Sequence, residues 1–232
     1  KVITKGEGSA LLEQPELAEK IVAACVSNCS VPVTVKIRKD FKSGKLLAPD
    51  FAARMEQAGA SAVAVHGRSA GQLYSGSADW SVIDAVADRV SIPVIGTGDV
   101  FCAQDAANML AQTAASAVFI ARGTYGNPWI FQDAAALSAG SPLPVHDAYE
   151  RLAALREHVE LLDSLGGHMA KARTFATWYL KGIPHAAFWR GRSVRYSTTQ
   201  EFLDLADAIE RDLACCEELA GKGLPIPHDP FI

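Results

Sequence analysis

The chain has 232 residues, of which 49% are hydrophobic and 21% charged, and its formal net charge at pH 7 is −4. This composition is typical of a globular protein with a sizeable core, and it excludes overall basicity as a means of binding nucleic acid, so any such site must be a local patch. No apolar run is long enough to cross a bilayer and no signal peptide opens the chain, so we expect a cytoplasmic protein without a membrane partner.

Strands alternate with helices in the first part of the chain. The sequence predicts helices over 15–28, 49–58, 80–88 and 103–112, and strands over 31–37, 61–65, 93–95 and 117–122. A repeat of about 30 residues predicts parallel βα units. Four units are half of a β/α barrel, so we expect residues 1–140 to form the C-terminal half of a (β/α)8 TIM barrel. The first half would then be absent from this sequence or supplied by another chain.

The pattern becomes helical after a linker of small residues and prolines at 138–144. Helices are predicted over 147–165 and 168–181, and a third helix begins after Thr198, which forms a capping box with Glu201. We therefore expect an α/β fold in which residues 141–232 form a small all-helical domain. Prolines from residue 225 onward indicate a loose tail.

Five cysteines are present, and none makes a Cys-x-x-Cys pattern, so no metal site is predicted. Cys25 and Cys29 are one helical turn apart, which suits packing in a core. Cys102 is close to a predicted strand end, but burial near a helix start is the better interpretation because free cysteines are commonly buried.

Polar residues follow the predicted strands where each strand ends: Lys36, His66, Asp99 and Arg122. In a β/α barrel these ends carry the active site, and the last two βα loops commonly bind phosphate. The turns at 96–98 and 123–126 are both rich in glycine, although each alone is as consistent with an ordinary turn. Together they predict a pocket for a phosphorylated planar cofactor. Flavin mononucleotide (FMN) fits, with its phosphate on the last two turns and its ring against Lys36 and His66.

Residues 168–196 contain no Asp or Glu, although acidic residues flank the stretch on both sides. Cations can contact phosphates and aromatic rings can stack on unpaired bases, so this composition indicates a nucleic-acid contact. The alternative is a solvated charged face over a small core, with Trp178 and Tyr179 buried. The cations are Lys171, Arg173, Lys181, Arg190, Arg192 and Arg195.

Several strings resemble the tRNA-dihydrouridine synthases, the bacterial-type flavin enzymes. The most specific runs from His66 to Trp80, with His66-Gly67-Arg68 at its start and Ala78-Asp79-Trp80 at its end. The other strings are Val33-Thr34-Val35-Lys36-Ile37-Arg38, Ile95-Gly96-Thr97-Gly98-Asp99, Arg122-Gly123, Gly126-Asn127-Pro128-Trp129-Ile130-Phe131 and Trp178-Tyr179-Leu180-Lys181-Gly182.

The resemblance implies a flavin-bearing barrel followed by a helical tRNA-binding domain. NADPH would reduce FMN, which would then reduce the C5–C6 double bond of a tRNA uridine to give 5,6-dihydrouridine. The acid cysteine of the family is expected upstream of Lys1, so this chain by itself would hold no catalytic residue and would be inactive. Implied cofactor-binding residues are Lys36, His66, Thr97, Gly98, Asp99, Ala121, Arg122 and Gly123. Predicted RNA-binding residues are Arg38, Arg68, Arg173, Lys181, Arg190 and Arg192.

The sequence departs from the family pattern in three places. Thr97 replaces a frequent asparagine, Ala121 replaces a frequent glycine, and Thr174-Phe175 replaces a usual Lys-His pair. Two other functions stay open: a flavin-dependent barrel oxidoreductase acting on a small molecule, and a non-catalytic RNA-binding protein.

Overall fold

The computed structural model describes residues 3–42 and 44–230 and divides into two compact units. The sheet unit comprises Lys1–Gly123 and Ile130–Pro142, and the helical unit comprises Thr124–Trp129 and Leu143–Ile232. The sequence placed the domain boundary at 140/141 and assigned residues 124–129 to the first domain. In the structure the chain divides at 142/143, and residues 124–129 pack with the helical unit.

The sheet unit is a mixed α/β structure whose described strands form one parallel sheet in the order β1-β2-β3-β4. Its strands are β1 Thr34–Arg38, β2 Ala62–His66, β3 Val94–Thr97 and β4 Ala117–Phe119. Its helices are α1 Pro15–Ser27, α2 Ala48–Gln57, α3 Ser81–Ala87, α4 Ala103–Gln112 and α5 Ile130–Ser138. Short 3-10 helices cover Ile3–Lys5, Gly8–Glu13 and Arg122–Thr124.

Helices cover one face of this sheet. Ile37, Val63, Val65 and Val94 alternate with residues of the opposite face and are buried in one core with side chains of α1 to α4. Gly96 lies on the same face, where an added Cβ would approach the sulfur of Met109 to 2.5 Å. The helix-facing side of the sheet therefore forms the hydrophobic core. Burial of apolar surface there stabilises the fold by about 25 cal/mol for each Å² removed from water.

The opposite face, here called the open face, is exposed at its two outer strands. It carries Thr34 and Lys36 on β1 and Ala117 and Phe119 on β4, all of them exposed, with Phe119 at 48%. In the middle of the sheet, Ala64 and Thr97 are buried. A groove of about 290 Å³ lies beside β1, lined by apolar residues that include Leu11, Ile21 and Cys25.

The helical unit has its own core, formed by its four α-helices within the described residues. These helices are α6 Ala148–Ser164, α7 Ala172–Tyr179, α8 Ala186–Ser193 and α9 Thr199–Gly221, with a 3-10 helix at Met169–Lys171. The side chain of Asp147 caps α6, and Thr198 with Glu201 forms the predicted capping box of α9. Trp189, Phe202 and Ile209 are among the buried core residues.

Residues 124–129 are fixed within the helical unit by ring stacking. The ring of Tyr125 is parallel to that of Trp178 at 4.1 Å, and Trp129 stacks on His146 at 4.5 Å. Gly126 has φ +67°, and an added Cβ would lie 2.6 Å from the carbonyl carbon of Trp178. The backbones of residues 126 and 178 therefore approach each other closely, which only glycine permits at this φ.

Some sequence expectations differ from the structure. Helices α5 and α8 were not predicted, and the expected burial of cysteines was wrong, because Cys25, Cys29 and Cys102 are all exposed. Cys102 is the N-cap of α4, in a capping box with Asp105. Within the described residues, every helix is too short or too polar to traverse a bilayer.

Candidate functional site

Two of the predicted cofactor residues, His66 and Thr97, are the last residues of β2 and β3, whereas Lys36 is the middle residue of β1. In the sheet register, Arg38 pairs with His66, and His66 pairs with Thr97. Lys36 is two residues before Arg38, so alternation places both on the open face. The guanidinium of Arg38 donates a 2.9 Å hydrogen bond to the carbonyl of Ser69. Lys36, Arg38 and His66 are thus gathered near the carboxyl ends of β1 and β2.

His66 stays uncharged at neutral pH. Partial burial, followed by the positive charges of Arg38, Lys36 and Arg68, lowers the pKa of His66 to about 4. Desolvation by neighbouring groups, and then the charge of Arg38, also lower the pKa of Lys36 from its usual value, although its side chain reaches the surface. A neutral imidazole can both donate and accept a hydrogen bond, whereas the lysine remains a donor.

Asp99 joins three loops of the sheet unit. Both of its carboxylate oxygens accept hydrogen bonds from the guanidinium of Arg68, each at 2.7 Å, and one of them also accepts the amide of Ala78. Arg122 donates to the other oxygen at 3.1 Å. Burial alone would raise the pKa of Asp99, but the hydrogen bonds from Arg68 and Ala78 outweigh it and lower the pKa. Asp99 is therefore an ionised link between the loops after β2, β3 and β4.

Arg122 lies between two aromatic rings. Its guanidinium carbon is 4.4 Å from the ring centre of Tyr74 and 5.0 Å from that of Phe101. The faces of both rings attract a cation, and the side chain of Arg122 keeps 30% of its surface exposed. The arginine is thereby held in place while part of it remains accessible to a ligand.

Two glycines allow these loops to pack closely. At Gly98, with φ +121°, an added Cβ would lie 2.8 Å from the ring of His66; at Gly123 it would lie 2.3 Å from the carbonyl oxygen of Val100. The indole of Trp80 donates to the carbonyl of Gly98 at 3.0 Å. The glycines therefore allow the strand-end loops to pack against each other.

The structure gives two predicted residues a different environment from the expected one. Arg68, predicted to contact RNA, has a side chain only 2% exposed, which is engaged by Asp99 and by the carbonyl of Gly76. Asp99, predicted to contact the flavin, directs its carboxylate oxygens at arginines. Thr97 is buried, whereas Ala121 is exposed. Sequence reasoning assigned no role to Tyr74 or Phe101, although Tyr74 lies within the string from His66 to Trp80 that carries the family resemblance.

The basic residues of the helical unit are more accessible. Lys181, Arg192 and Arg195 are exposed and Arg190 is partly buried, and among the described residues none of these has a carboxylate partner within salt-bridge distance. Arg173 differs, since it donates to the carbonyl of Tyr196 at 2.7 Å. A surface cavity of about 570 Å³ is lined by Ala187, Phe188, Gly191, Arg192, Arg195 and Tyr196.

Comparison with known proteins gives a consistent family. A model of the family described as dihydrouridine synthase (Dus) matches residues 1–214. A probable tRNA-dihydrouridine synthase 1 of Synechocystis is 36% identical over 210 residues, which cover 89% of this chain and 59% of that protein. Probable tRNA-dihydrouridine synthases of Rickettsia conorii and Rhizobium leguminosarum are 37% and 39% identical, over 82% and 78% of this chain and 59% and 56% of their own lengths.

The chain thus spans less than two thirds of the length of these relatives. Among solved structures, a mandelate oxidase mutant with benzaldehyde aligns with 85% of the chain and 68% of its own length. Its sequence identity is 18% and the TM-score is 0.34, a likeness too weak to carry an argument.

Proposed function

The chain belongs to the dihydrouridine synthase family, and we propose that it is the C-terminal part of an enzyme that uses FMN and NADPH to reduce uridine to 5,6-dihydrouridine in tRNA. The observation that carries the proposal is the excess of positive charge at the strand ends. Arg68 and Arg122 share the single carboxylate of Asp99, while Lys36 and Arg38 add two further cations at the same edge. An edge of this kind suits an anionic ligand.

We also propose that residues 1–140 form half of a (β/α)8 barrel in the whole protein. Helices cover one face of a parallel sheet whose strands follow chain order, as in a barrel wall. Further strands and helices would cover three surfaces: the open face, the edge of β1, which no described strand pairs with on that side, and the apolar groove beside it. The relatives are long enough to supply them.

The residues present fit FMN by their chemistry. Arg122 offers a cation that is held in place yet partly exposed, Lys36 is a cation on the open face, and His66 is a neutral donor and acceptor. Bound FMN would supply the hydride transfer that no protein side chain performs. Arg122 and the backbone at Gly123 would bind the phosphate, and Lys36 and His66 would contact the ring. The role of Asp99 would be to orient Arg122.

The proton added at C5 of uridine would come from the cysteine acid expected upstream of Lys1, so we propose no general acid within this chain. The contribution of this chain would be to bind and orient the cofactor and the RNA. The helical unit would contact tRNA through Arg173, Lys181, Arg190 and Arg192 together with Arg195. Among the described residues, Lys181, Arg190, Arg192 and Arg195 have no carboxylate within 4 Å, whereas the charge of Arg173 acts on Glu201.

The decisive experiment uses the complete protein that carries this chain, expressed in a host whose tRNA lacks dihydrouridine. Nucleoside mass spectrometry should detect dihydrouridine, and the purified protein should contain FMN. Lys36→Ala should lower FMN affinity at least about tenfold and abolish the product, whereas Lys20→Ala, which changes an exposed lysine of α1, should alter neither. FMN binding without dihydrouridine would favour an oxidoreductase acting on a small molecule. tRNA binding insensitive to Lys36→Ala, without FMN, would favour a non-catalytic RNA-binding protein.

A second measurement tests the RNA contact. The affinity for tRNA should fall steeply with salt, and the double variant Arg192→Gln/Arg195→Gln should reduce the slope of log K against log [salt] by about 0.7–0.9 for each phosphate that the variant no longer neutralises. Arg89→Gln is the matched control, because Arg89 is exposed but paired with Asp50 at 3.3 Å in the sheet unit. An equal effect in the control would contradict a specific contact at Arg192 and Arg195.

A further inference from the structure

His185 forms a buried cluster in the helical unit, outside the proposed cofactor and RNA sites. Its Nδ1 is 2.7 Å from Oδ2 of Asp212, and its Nε2 is 2.8 Å from the carbonyl oxygen of Pro227. The indole of Trp189 donates to the same Oδ2 at 3.0 Å. The side chains of His185 and Asp212 are 5% and 0% exposed, so water does not compete for these contacts.

Counting protons determines the charge of this histidine. Asp212 as a carboxylate only accepts hydrogen bonds, and a proline carbonyl can only accept. A neutral imidazole has one N–H and would leave the other ring nitrogen facing an acceptor, lone pair against lone pair. With Asp212 ionised, which the N–H that Trp189 donates to its Oδ2 favours, both contacts are satisfied together only when both ring nitrogens carry a proton. His185 is then an imidazolium.

The backbone at His185 supports a dedicated role. Its φ is +52°, in the left-handed region that is unfavourable for a residue with a side chain, and it is the N-cap of α8. A cation at a helix N-terminus is also disfavoured by the helix dipole. Both costs must be offset, and the contact that offsets them is the buried pair with Asp212.

The same region contains Cys216, so His185, Asp212 and Cys216 match a transition-metal donor set by residue type. The geometry favours a proton instead. Tetrahedral zinc ligands at about 2.0–2.1 Å from the metal would keep their N and O atoms about 3.3 Å apart, farther than the 2.7 Å here. Burial, and then Asp212, raise the pKa of the Cys216 thiol, which disfavours the thiolate that a metal requires.

We propose that charged His185 is a clasp that fastens the start of α8 and the C-terminal segment, residues 224–230, to α9, and that loss of its proton releases them. The groups facing the imidazole are Asp212 and Cys216 from α9 and Asp229 from the segment. Since α8 carries Arg190 and Arg192, release would also free these cations to move. The clasp itself does not depend on the proposed function.

The direction of the pH effect follows from the charges. Burial alone would lower the pKa of His185, but the hydrogen bonds to Asp212 and to the Pro227 carbonyl outweigh it and raise the pKa above its usual value. A group whose pKa is raised by folding stabilises the folded state below its unfolded pKa of about 6.5. That stabilisation is lost as the pH rises through the folded value, so alkaline conditions should open the clasp.

The test is a pH titration by NMR of the complete protein that carries this chain. At pH 6.5 both ring nitrogens of His185 should be protonated, and the amides of the C-terminal segment should have dispersed, docked resonances. As the pH rises, the chemical shifts of the Trp189 indole, the segment amides and the His185 ring should change with the same midpoint. Asp212→Asn should lower the His185 midpoint by at least about one pH unit, a tenfold change in its acid constant. His228→Gln, which changes a fully exposed histidine of the segment, should leave the curve unchanged.

Two results would overturn the proposal. One is a His185 that is neutral at pH 6.5 while the segment stays docked. The other is a stoichiometric metal ion in the purified chain whose removal by a chelator releases the segment. The wild-type titration decides the question by itself, so a variant that fails to fold does not leave it open.

Discussion

Two pairs of arginines, one in each unit, differ in whether they have a carboxylate partner. In the sheet unit, Arg68 is 2% exposed and shares Asp99 with Arg122, so both guanidinium groups have a carboxylate partner. In the helical unit, Arg192 and Arg195 are exposed, and the described residues offer them no carboxylate within 4 Å. Arg68 and Arg122 therefore serve internal structure, as Arg156 does in the helical unit through Asp207 and Glu210, whereas Arg192 and Arg195 are left accessible.

This difference has a physical origin. A buried guanidinium is costly unless it is paired and hydrogen-bonded, so Arg68 requires Asp99. An exposed arginine keeps its hydration and needs no partner to fold, so a cluster of unpaired arginines is retained at little cost to stability. Unpaired cations are then available to an anionic ligand, whereas Arg68 is not.

The largest effect should come from removing the shared carboxylate charge. We expect Asp99→Asn to destabilise the sheet unit by about 3–5 kcal/mol, because it leaves the charge of buried Arg68 without a counterion. Asparagine tolerates the left-handed backbone of residue 99, φ +56°, so the change isolates the charge from backbone strain. Urea denaturation followed by circular dichroism measures the decrease in stability.

Asp88→Asn is the control, since Asp88 is an exposed aspartate just after α3 and should change stability by less than about 0.5 kcal/mol. Equal stability of Asp99→Asn and Asp88→Asn would show that Arg68 does not need its carboxylate partner to fold. A large decrease in stability on replacing Arg192 or Arg195 by glutamine would contradict the statement that these exposed arginines are not needed for folding.

A smaller effect tests where the two units divide. Gly126 and Gly166 have nearly the same φ, +67° and +66°, but only Gly126 faces close neighbours, the backbone of Trp178. Gly166→Ala should lower the free energy of unfolding by about 1 kcal/mol through backbone strain alone. Gly126→Ala should lower it by about 1–3 kcal/mol more, because the added methyl group overpacks against Trp178. Hydrogen exchange should show the additional destabilisation in α7. If Gly126→Ala instead weakened the sheet unit alone, residues 124–129 would belong with that unit.

Much of this architecture could be predicted from the sequence. The parallel βα alternation is readable because buried parallel strands are short apolar runs, and β1 and β2 begin and end within three residues of their predicted bounds. The capping box at Thr198 and Glu201 is a local signal that needs no tertiary context. The gathering of Lys36, Arg38 and His66 at one edge follows from strand direction alone.

The remainder depended on contacts between distant residues. Nothing local distinguishes Arg68, which is buried, from Arg38, which is partly exposed, because the difference is Asp99, 31 residues later. The pairing of Tyr125 with Trp178 joins residues 53 apart in the sequence, so residues 124–129 could not be assigned to the helical unit by pattern. Helix α8 was missed because its buried Trp189 and Ser193 give little apolar periodicity.

The most subtle contrast between the units lies in two histidines. His66 is partly buried and lies near three cations, and its pKa is about 4, whereas the hydrogen bonds of His185 to Asp212 and to the Pro227 carbonyl raise its pKa. Between pH 6.5 and 4 the unfolded chain binds a proton that folded His66 does not, so His66 should reduce stability as the pH falls, by at most about 1.4 kcal/mol per pH unit.

NMR titration gives the pKa of His66 directly, and urea midpoints compared between wild type and His66→Gln should diverge only below pH 6.5. His228→Gln should follow the wild type throughout, since that side chain is fully exposed. His66 lowers the stability of the sheet unit as the pH falls, and His185 lowers that of the helical unit as the pH rises. Each unit should therefore be close to its highest stability in the pH interval between the two titrations. A His66 that gains its proton near pH 6.5 would mean that neither burial nor the charges of Lys36, Arg38 and Arg68 act on it as the structure indicates. The charge excess proposed to attract the cofactor phosphate would then lose its support.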